Sequence, residues 1–407
     1  MSKITVIDAP PGYGKTSWSI NFMNESKFER FIYISPFLEE VKRVVKSCDK
    51  REFRTPDERL GKGSKRNHFY DLLDSGVNIC STHALFRGVS KEVIDIIKDM
   101  EYILILDEVC DVVENLNISK HDIEILINEK IISIDEENKV QWINDEYYGR
   151  FTYLKNPILN GDVYLYNNTM ILWTFPINIF KAFKEVYVMT YMFKGQIQAY
   201  YYDMNNVEYE YKSVEFSHTE GFGDLKRDIY ELVDYKEING KEYKDLINVY
   251  EGKLNNIGDD KYSLSKSWYI KADKKELMKQ LKNNTYNYFK RVIKSKSKFN
   301  MWTTFEDFKN KCKGEGYSKG FVACNARSTN QYKDRNTCAY LCDRYYNPVI
   351  KQFFIDKDVT INEDTWALSE LLQWIFRSAI RDNKPINLYI PSERMRNIFK
   401  AWLNNEI

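Results

Sequence analysis

Lys15 and Thr16 follow the turn Pro10-Pro11-Gly12-Tyr13-Gly14 and precede the helix-like run Ser17 to Met23. Backbone N–H groups at a helix start carry positive partial charge, so a loop wrapped over that terminus can cradle phosphates. In this arrangement Pro11, Gly12, Tyr13 and Gly14 form the cradle, Lys15 reaches the outer phosphates of a nucleotide, and the Thr16 hydroxyl holds Mg²⁺. Ala9 stands where such loops carry their first glycine. A second group of chemically useful residues is the acidic pair Asp107-Glu108, which closes the apolar run Tyr102 to Leu106. There Asp107 is placed to hold Mg²⁺ through water, and Glu108 to orient and deprotonate an attacking water. Each feature has a plainer reading, a glycine turn capping a helix and a solvated acidic turn. Their occurrence together favours the chemistry.

Both groups need particular elements to position them. Ile4-Thr5-Val6-Ile7 reads as the strand before the phosphate loop, and Tyr102 to Leu106 as a central parallel strand buried on both faces. Phe31 to Ser35 and Val77 to Thr82 are further apolar runs, each meeting a polar turn and then a helical pattern. Strand ends of this kind on a parallel sheet face a ligand crevice. From Lys50 to Arg66 the chain is polar and basic, an exposed loop rather than a nucleic-acid contact. Glu114 to Met170 reads as an insertion: a helix at His121–Asn128, then a hairpin of Lys130–Ile134 and Lys139–Ile143 about the turn Asp135–Asn138. Val186 to Phe193 rejoins the sheet and carries Thr190.

The 407 residues allow two or three domains, and 43% hydrophobic with 29% charged residues is a globular composition. The net charge of +1 excludes whole-molecule attraction to nucleic acid, so any such binding needs a local patch. Seven scattered cysteines without a C-x-x-C pair read as reduced thiols in a cytoplasmic compartment. A metal site from Cys312, Cys324, Cys338 and Cys342 is disfavoured by the apolar setting of Cys324 and the four histidines in the chain. The first strand leaves no room for a signal peptide, and no apolar run reaches membrane-spanning length.

In the second half, Lys274–Lys298 is lysine-rich with Tyr286, Tyr288 and Phe289 between the charges, which suits an amphipathic helix somewhat better than a nucleic-acid contact. Gly320 to Tyr332 is strand-like and then polar, with Asn325, Arg327, Thr329 and Asn330 able to meet phosphate. In Trp366 to Arg381, Gln373, Arg377 and Arg381 recur every fourth residue, so a continuous helix would align them in one stripe. The apolar residues around them make that helix largely buried, and buried arginines need an anion.

Ala9–Thr16 resembles Walker A, Asp107-Glu108 a Walker B of the DExx type, Ile32–Leu38 motif Ia, Ser81-Thr82-His83-Ala84-Leu85 the segment before the DExx box, and the strand ending at Thr190 motif III of superfamily 2 helicases. Gln373 and Arg377 match motif VI in spacing, while Arg381 lies one residue further than that pattern. Asn325 to Asn330 is similar to a signature of phage-type helicase-like ATPases. The resemblance implies an α/β protein of two RecA-like domains with parallel sheets, 1–200 and 201–407. The ATP site would lie in the interdomain cleft, and the helix-hairpin subdomain 114–170 would be inserted in the first domain. It also implies ATP and Mg²⁺ as cofactors, Arg377 before Arg381 as the arginine reaching the γ-phosphate, and Thr82, His83, Thr190, Asn325, Arg327, Thr329 and Asn330 as coupling or nucleic-acid residues. The implied activity is that of a nucleic-acid motor, a DNA helicase of phage replication or recombination, acting on DNA rather than RNA in the host cytoplasm beside replication proteins. A double-stranded DNA translocase, a terminase-like ATPase and a nucleotide switch without motor activity share parts of the pattern.

Overall fold

The computed structural model describes residues 2–160, 162–219, 227–272, 276–324 and 331–407. They group into two units: Met1–Asp8, Gly14–Tyr235 and Asn347–Ile361 in the first, and Ala9–Tyr13, Lys236–Tyr346 and Asn362–Ile407 in the second.

In the first unit, β1 (Lys3–Asp8) leads through the glycine turn into α1 (Lys15–Glu25). β2 (Arg30–Ser35), β3 (Phe53–Arg54), β4 (Asn78–Thr82) and β5 (Tyr102–Asp107) follow, separated by helices. After an excursion through β6 (Val113–Asn115), β7 (Ile132–Ile134), β8 (Val140–Trp142), β9 (Asp162–Tyr166) and β10 (Met170–Thr174), the chain returns as β11 (Glu185–Thr190). The hairpin β12 (Glu210–Thr219) and β13 (Arg227–Asp234) completes an eight-stranded sheet of order β13-β12-β1-β11-β5-β2-β4-β3. Its strands pair in parallel apart from β13, which runs antiparallel to β12.

All six residues of β5 are buried, as its unbroken apolar run requires once β11 and β2 flank it and both faces are covered. Side chains alternate across the sheet. Ile103, Ile105, Phe31, Tyr33, Ile7 and Met189 accordingly share one cluster with Trp18 and Met23 of α1 and with Val41 and Val44 of the helix Leu38–Ser47. Because the strands are parallel, their C-terminal ends meet at one edge. Asp8 is in register with Thr190, Asp107 with Met189, and Ser35 with Thr82. That edge collects the candidate residues.

The excursion holds the expected helix, Lys120–Asn128, and the expected hairpin, in which β7 pairs antiparallel with β8. The Asp135 carboxylate accepts from the backbone N–H of Glu137 at 3.0 Å and of Lys139 at 2.7 Å, which closes the turn. β6, β10 and β9 add a three-stranded antiparallel sheet. Two divisions differ from the expectation of a boundary at residue 200. The hairpin β12–β13 extends the first sheet, so that stretch of the first unit runs to Tyr235, and Asn347–Ile361 also belongs to the first unit. The reason is packing: Phe353 of the helix Pro348–Ile355 meets the rings of Tyr164 and Tyr166 on β9 at 6.4 and 6.0 Å.

The second unit contains an all-parallel sheet of β14 (Ile247–Val249), β15 (Asn300–Thr303), β16 (Thr337–Tyr340) and β17 (Ile386–Tyr389), in the order β14-β17-β16-β15. Its core includes Trp302, Tyr389, Tyr288 and Phe289. The last two are fully buried. The lysine-rich segment, helical over Leu277–Asn287 and Tyr288–Val292, therefore uses these aromatics for packing and not for bases; Lys274 lies outside the described residues.

The single helix expected through Arg381 is not formed. α2 (Glu363–Ile375) stops four residues after position 371, Arg377 lies in the turn that follows, and Arg381 is in a separate 3₁₀ turn, Ala379–Asp382. No glycine or proline causes the break. Ser378 is extended, its hydroxyl bonds the Ile375 carbonyl at 2.6 Å, and Ala379 N–H donates to the Arg335 carbonyl at 2.8 Å, so tertiary hydrogen bonding overrides local propensity.

Because Leu104 is fully buried at the centre of β5, Leu104→Ala is expected to destabilise the first unit by about 2–5 kcal/mol, read as a lowered urea midpoint of its unfolding transition.

Candidate active site

The phosphate-loop candidate has the backbone its sequence demands. Gly12 and Gly14 have φ of +101° and +83°, left-handed values that side chains resist. Tyr13 N–H reaches the Pro10 carbonyl at 3.4 Å, and Trp18 N–H closes the first helical bond to the Gly14 carbonyl at 2.8 Å. Ala9 is buried and is not among the residues with positive φ, so this position makes no conformational demand for glycine. The departure at Ala9 is thereby explained: the left-handed turns fall at Gly12 and Gly14.

Lys15 opens α1 and acts electrostatically on two buried carboxylates, Asp8 and Asp107. Burial pushes the Asp107 carboxyl up to about 7, helped by the charges of Glu108 and Glu40, while the Ser35 hydroxyl and Lys15 pull it down. Ser35 Oγ donates to Asp107 Oδ2 at 3.1 Å. His83, the first residue of the short helix after β4, places Nε2 3.2 Å from the Asp107 carbonyl. Thr82 precedes it as the extended residue at that helix's start.

Glu108 has φ +75°, a conformation that a residue with a long side chain adopts only under local constraint. Its N–H donates to the Met189 carbonyl at 2.9 Å, continuing the β5–β11 pairing one residue past the strand, and its Oε2 accepts from Thr190 Oγ1 at 3.3 Å. Sequence reasoning placed Thr190 and Glu108 in separate motifs; the structure joins them by a hydrogen bond.

Asp8 was missed. Its oxygens accept from Met192 N–H at 2.7 Å and Phe193 N–H at 2.9 Å, tying the turn after Thr190 to the start of the phosphate loop. Met192 itself is left-handed, at φ +54°. Burial pushes Asp8 up to about 6, against those two N–H groups and the lysines Lys15 and Lys194. An aspartate ending the first strand was the available signal.

In the second unit Gln373 and Arg377 are buried, and Gln373 Nε2 has no hydrogen-bond partner among the described residues. Arg381 is half-buried. Asn325, Arg327, Thr329 and Asn330 lie outside the described residues. Among the described residues no group of three metal-ligating side chains stands together, and no helix is long and apolar enough to cross a membrane. The first of these does not bear on Mg²⁺, which keeps several waters and takes few protein ligands. A buried Asp107 crowded by Glu108 and Glu40 fits a nearby cation that would restore its ionised form.

Residues 241–403 match the family model described as the YonV C-terminal Rossmann-like domain, and residues 113–173 match the YonV middle domain. The second range coincides with the excursion from β6 to β10. The chain is 42% identical over 422 residues to the "SPbeta prophage-derived uncharacterized protein YonV" of Bacillus subtilis (strain 168), with the whole of both chains covered. A solved structure, that of S. tokodaii Xpd4, aligns with 98% of this chain and 94% of its own at a TM-score of 0.49 and 12% identity.

Asp8 provides a pH-dependent test. Its folded pKa of about 6 lies above the usual carboxylate value, so its contribution to stability is present below about pH 4 and is lost as pH rises through 6. Asp8→Asn removes that ionisation. Urea unfolding of variant and wild type is expected to show the variant gaining by about 1–3 kcal/mol between pH 4 and 7 relative to wild type; a pH-independent difference would contradict the assignment.

Proposed function

The chain belongs to the YonV family, and we propose that it is an ATP-dependent nucleic-acid motor, a DNA helicase of superfamily 2 type in phage replication or recombination. The observation that carries the ATPase part is the convergence of Lys15, Asp107 and a left-handed Glu108 at one edge of a parallel sheet. The reading of the motor and of DNA as substrate rests on the motif resemblance.

In this reading the backbone of Pro11–Gly14 and the ammonium of Lys15 hold the phosphates. Thr16 and Asp107 hold Mg²⁺, which would supply charge neutralisation at the transferred phosphoryl group. Glu108 accepts the proton of the attacking water. The hydrogen bond from Thr190 fixes Glu108 in position, and through Asp8 the turn after Thr190 is tied back to the phosphate loop. A change in the nucleotide thus reaches the β11 turn by two routes, which suits coupling of hydrolysis to a second ligand. Gln373 and Arg377, both buried, are assigned to the γ-phosphate by the resemblance alone.

The test is the ATPase rate with and without single-stranded and duplex DNA or RNA. DNA is expected to stimulate the wild type. Lys15→Ala is expected to lower turnover by at least about 10²-fold, and Arg377→Ala by about 10³-fold. If nucleic acid changes nothing while both variants abolish turnover, the motor reading fails and the ATPase stands.

A further inference from the structure

One face of the hairpin β12–β13 carries two successive rungs of directly paired apolar residues, Val214 opposite Leu232 and Phe216 opposite Tyr230. The inner rung is ordinary core: Val214 is buried and, with Leu232, packs in the cluster that contains Trp18 of α1. The outer rung extends past it. Tyr230 packs against the edge of that cluster, whereas Phe216 is 48% exposed, and their ring centroids are 5.0 Å apart at an interplanar angle of 39°.

This rung stands at the phosphate loop. A Cβ built on Gly14 would lie 2.6 Å from Cδ1 and Cε1 of the Tyr230 ring and 3.6 Å from Val214 Cγ1. Gly14 is the residue immediately before α1, whose N-terminus faces the phosphates in the reading above. The glycine is therefore required twice, by its left-handed φ of +83° and by the tyrosine ring against its Cα. A half-exposed aromatic pair beside a helix N-terminus offers what a nucleoside triphosphate presents beyond its phosphates: a flat π surface that stacks on aromatic rings.

We propose that Tyr230 and Phe216 form the platform on which the base of the bound nucleotide stacks, an assignment that rests on the phosphate-binding reading of Gly12–Thr16. Stacking engages the π face of the base, so the platform accepts purines as a class and favours them over the smaller pyrimidines. Val214 and Leu232 support it from the core side.

Equilibrium binding of ATP and of inorganic tripolyphosphate, each with Mg²⁺, to the full chain separates the base from the phosphates. Tyr230→Ala is expected to weaken ATP about tenfold and to leave tripolyphosphate within about twofold of wild type, with Tyr230→Phe close to wild type for both. Phe216→Ala, at the exposed ring, is expected to weaken ATP severalfold and guards against the case that Tyr230→Ala perturbs the hairpin. The platform is overturned if Tyr230→Ala and Phe216→Ala leave ATP affinity unchanged, or if they weaken ATP and tripolyphosphate equally, which would make the rings supports of the loop. Failure of the underlying reading looks different: Lys15→Ala would then bind tripolyphosphate as wild type does, and the platform falls with it.

Discussion

Asp107 is a carboxylate held where burial opposes its charge, and much of the first unit is arranged around making that tolerable. It ends the most deeply buried strand of the sheet, with Glu108 and Glu40 adding negative charge nearby and Lys15 and the Ser35 hydroxyl offsetting part of it. An acid in such a place is costly unless a cation or hydrogen bonds compensate. The parallel sheet brings these compensating groups to it, Ser35 at the end of β2 and Lys15 from the helix that follows β1, because those strands end at the same edge as β5. A strand slip of one residue would turn these side chains to the wrong face, so the register of the apolar runs and the chemistry at their ends are one constraint.

Left-handed backbone occurs at several places in the chain, and some of it falls around the candidate site. Gly12, Gly14, Glu108 and Met192 are all left-handed, and the last two are not glycines. Each is held by a specific bond: Glu108 through its N–H to the Met189 carbonyl, Met192 through its N–H to Asp8. Strained turns persist where surrounding structure over-determines them. Here they aim Glu108 past the end of β5 and fold the chain after Thr190 back toward β1.

The parts of this arrangement that depend on local pattern were readable in the sequence. The strand before Gly12, the buried run before Asp107 and the hairpin about Asp135 announce themselves through apolar periodicity and turn chemistry. What depends on tertiary hydrogen bonds was not. Nothing local marks the end of α2 at Ile375, since no helix breaker follows and the chain leaves the helix to bond the Arg335 carbonyl. Nor could spacing show that β12 and β13 extend the first sheet, or that Asp8 holds the turn after Thr190, because those partners lie far away in the chain. Ala9 illustrates the converse: it looked like a defect in a motif and is a buried residue at a position that does not need glycine.

The edge built around Asp107 is proposed as a site for a Mg²⁺-nucleotide. Its most direct test is ATP affinity measured by calorimetry with Mg²⁺ and with chelator, in the wild type and in Asp107→Asn. The expected result is tight binding that requires Mg²⁺ in the wild type and a loss of that requirement, with weakened affinity, in the variant. Equal affinity with and without Mg²⁺ in both proteins would contradict it.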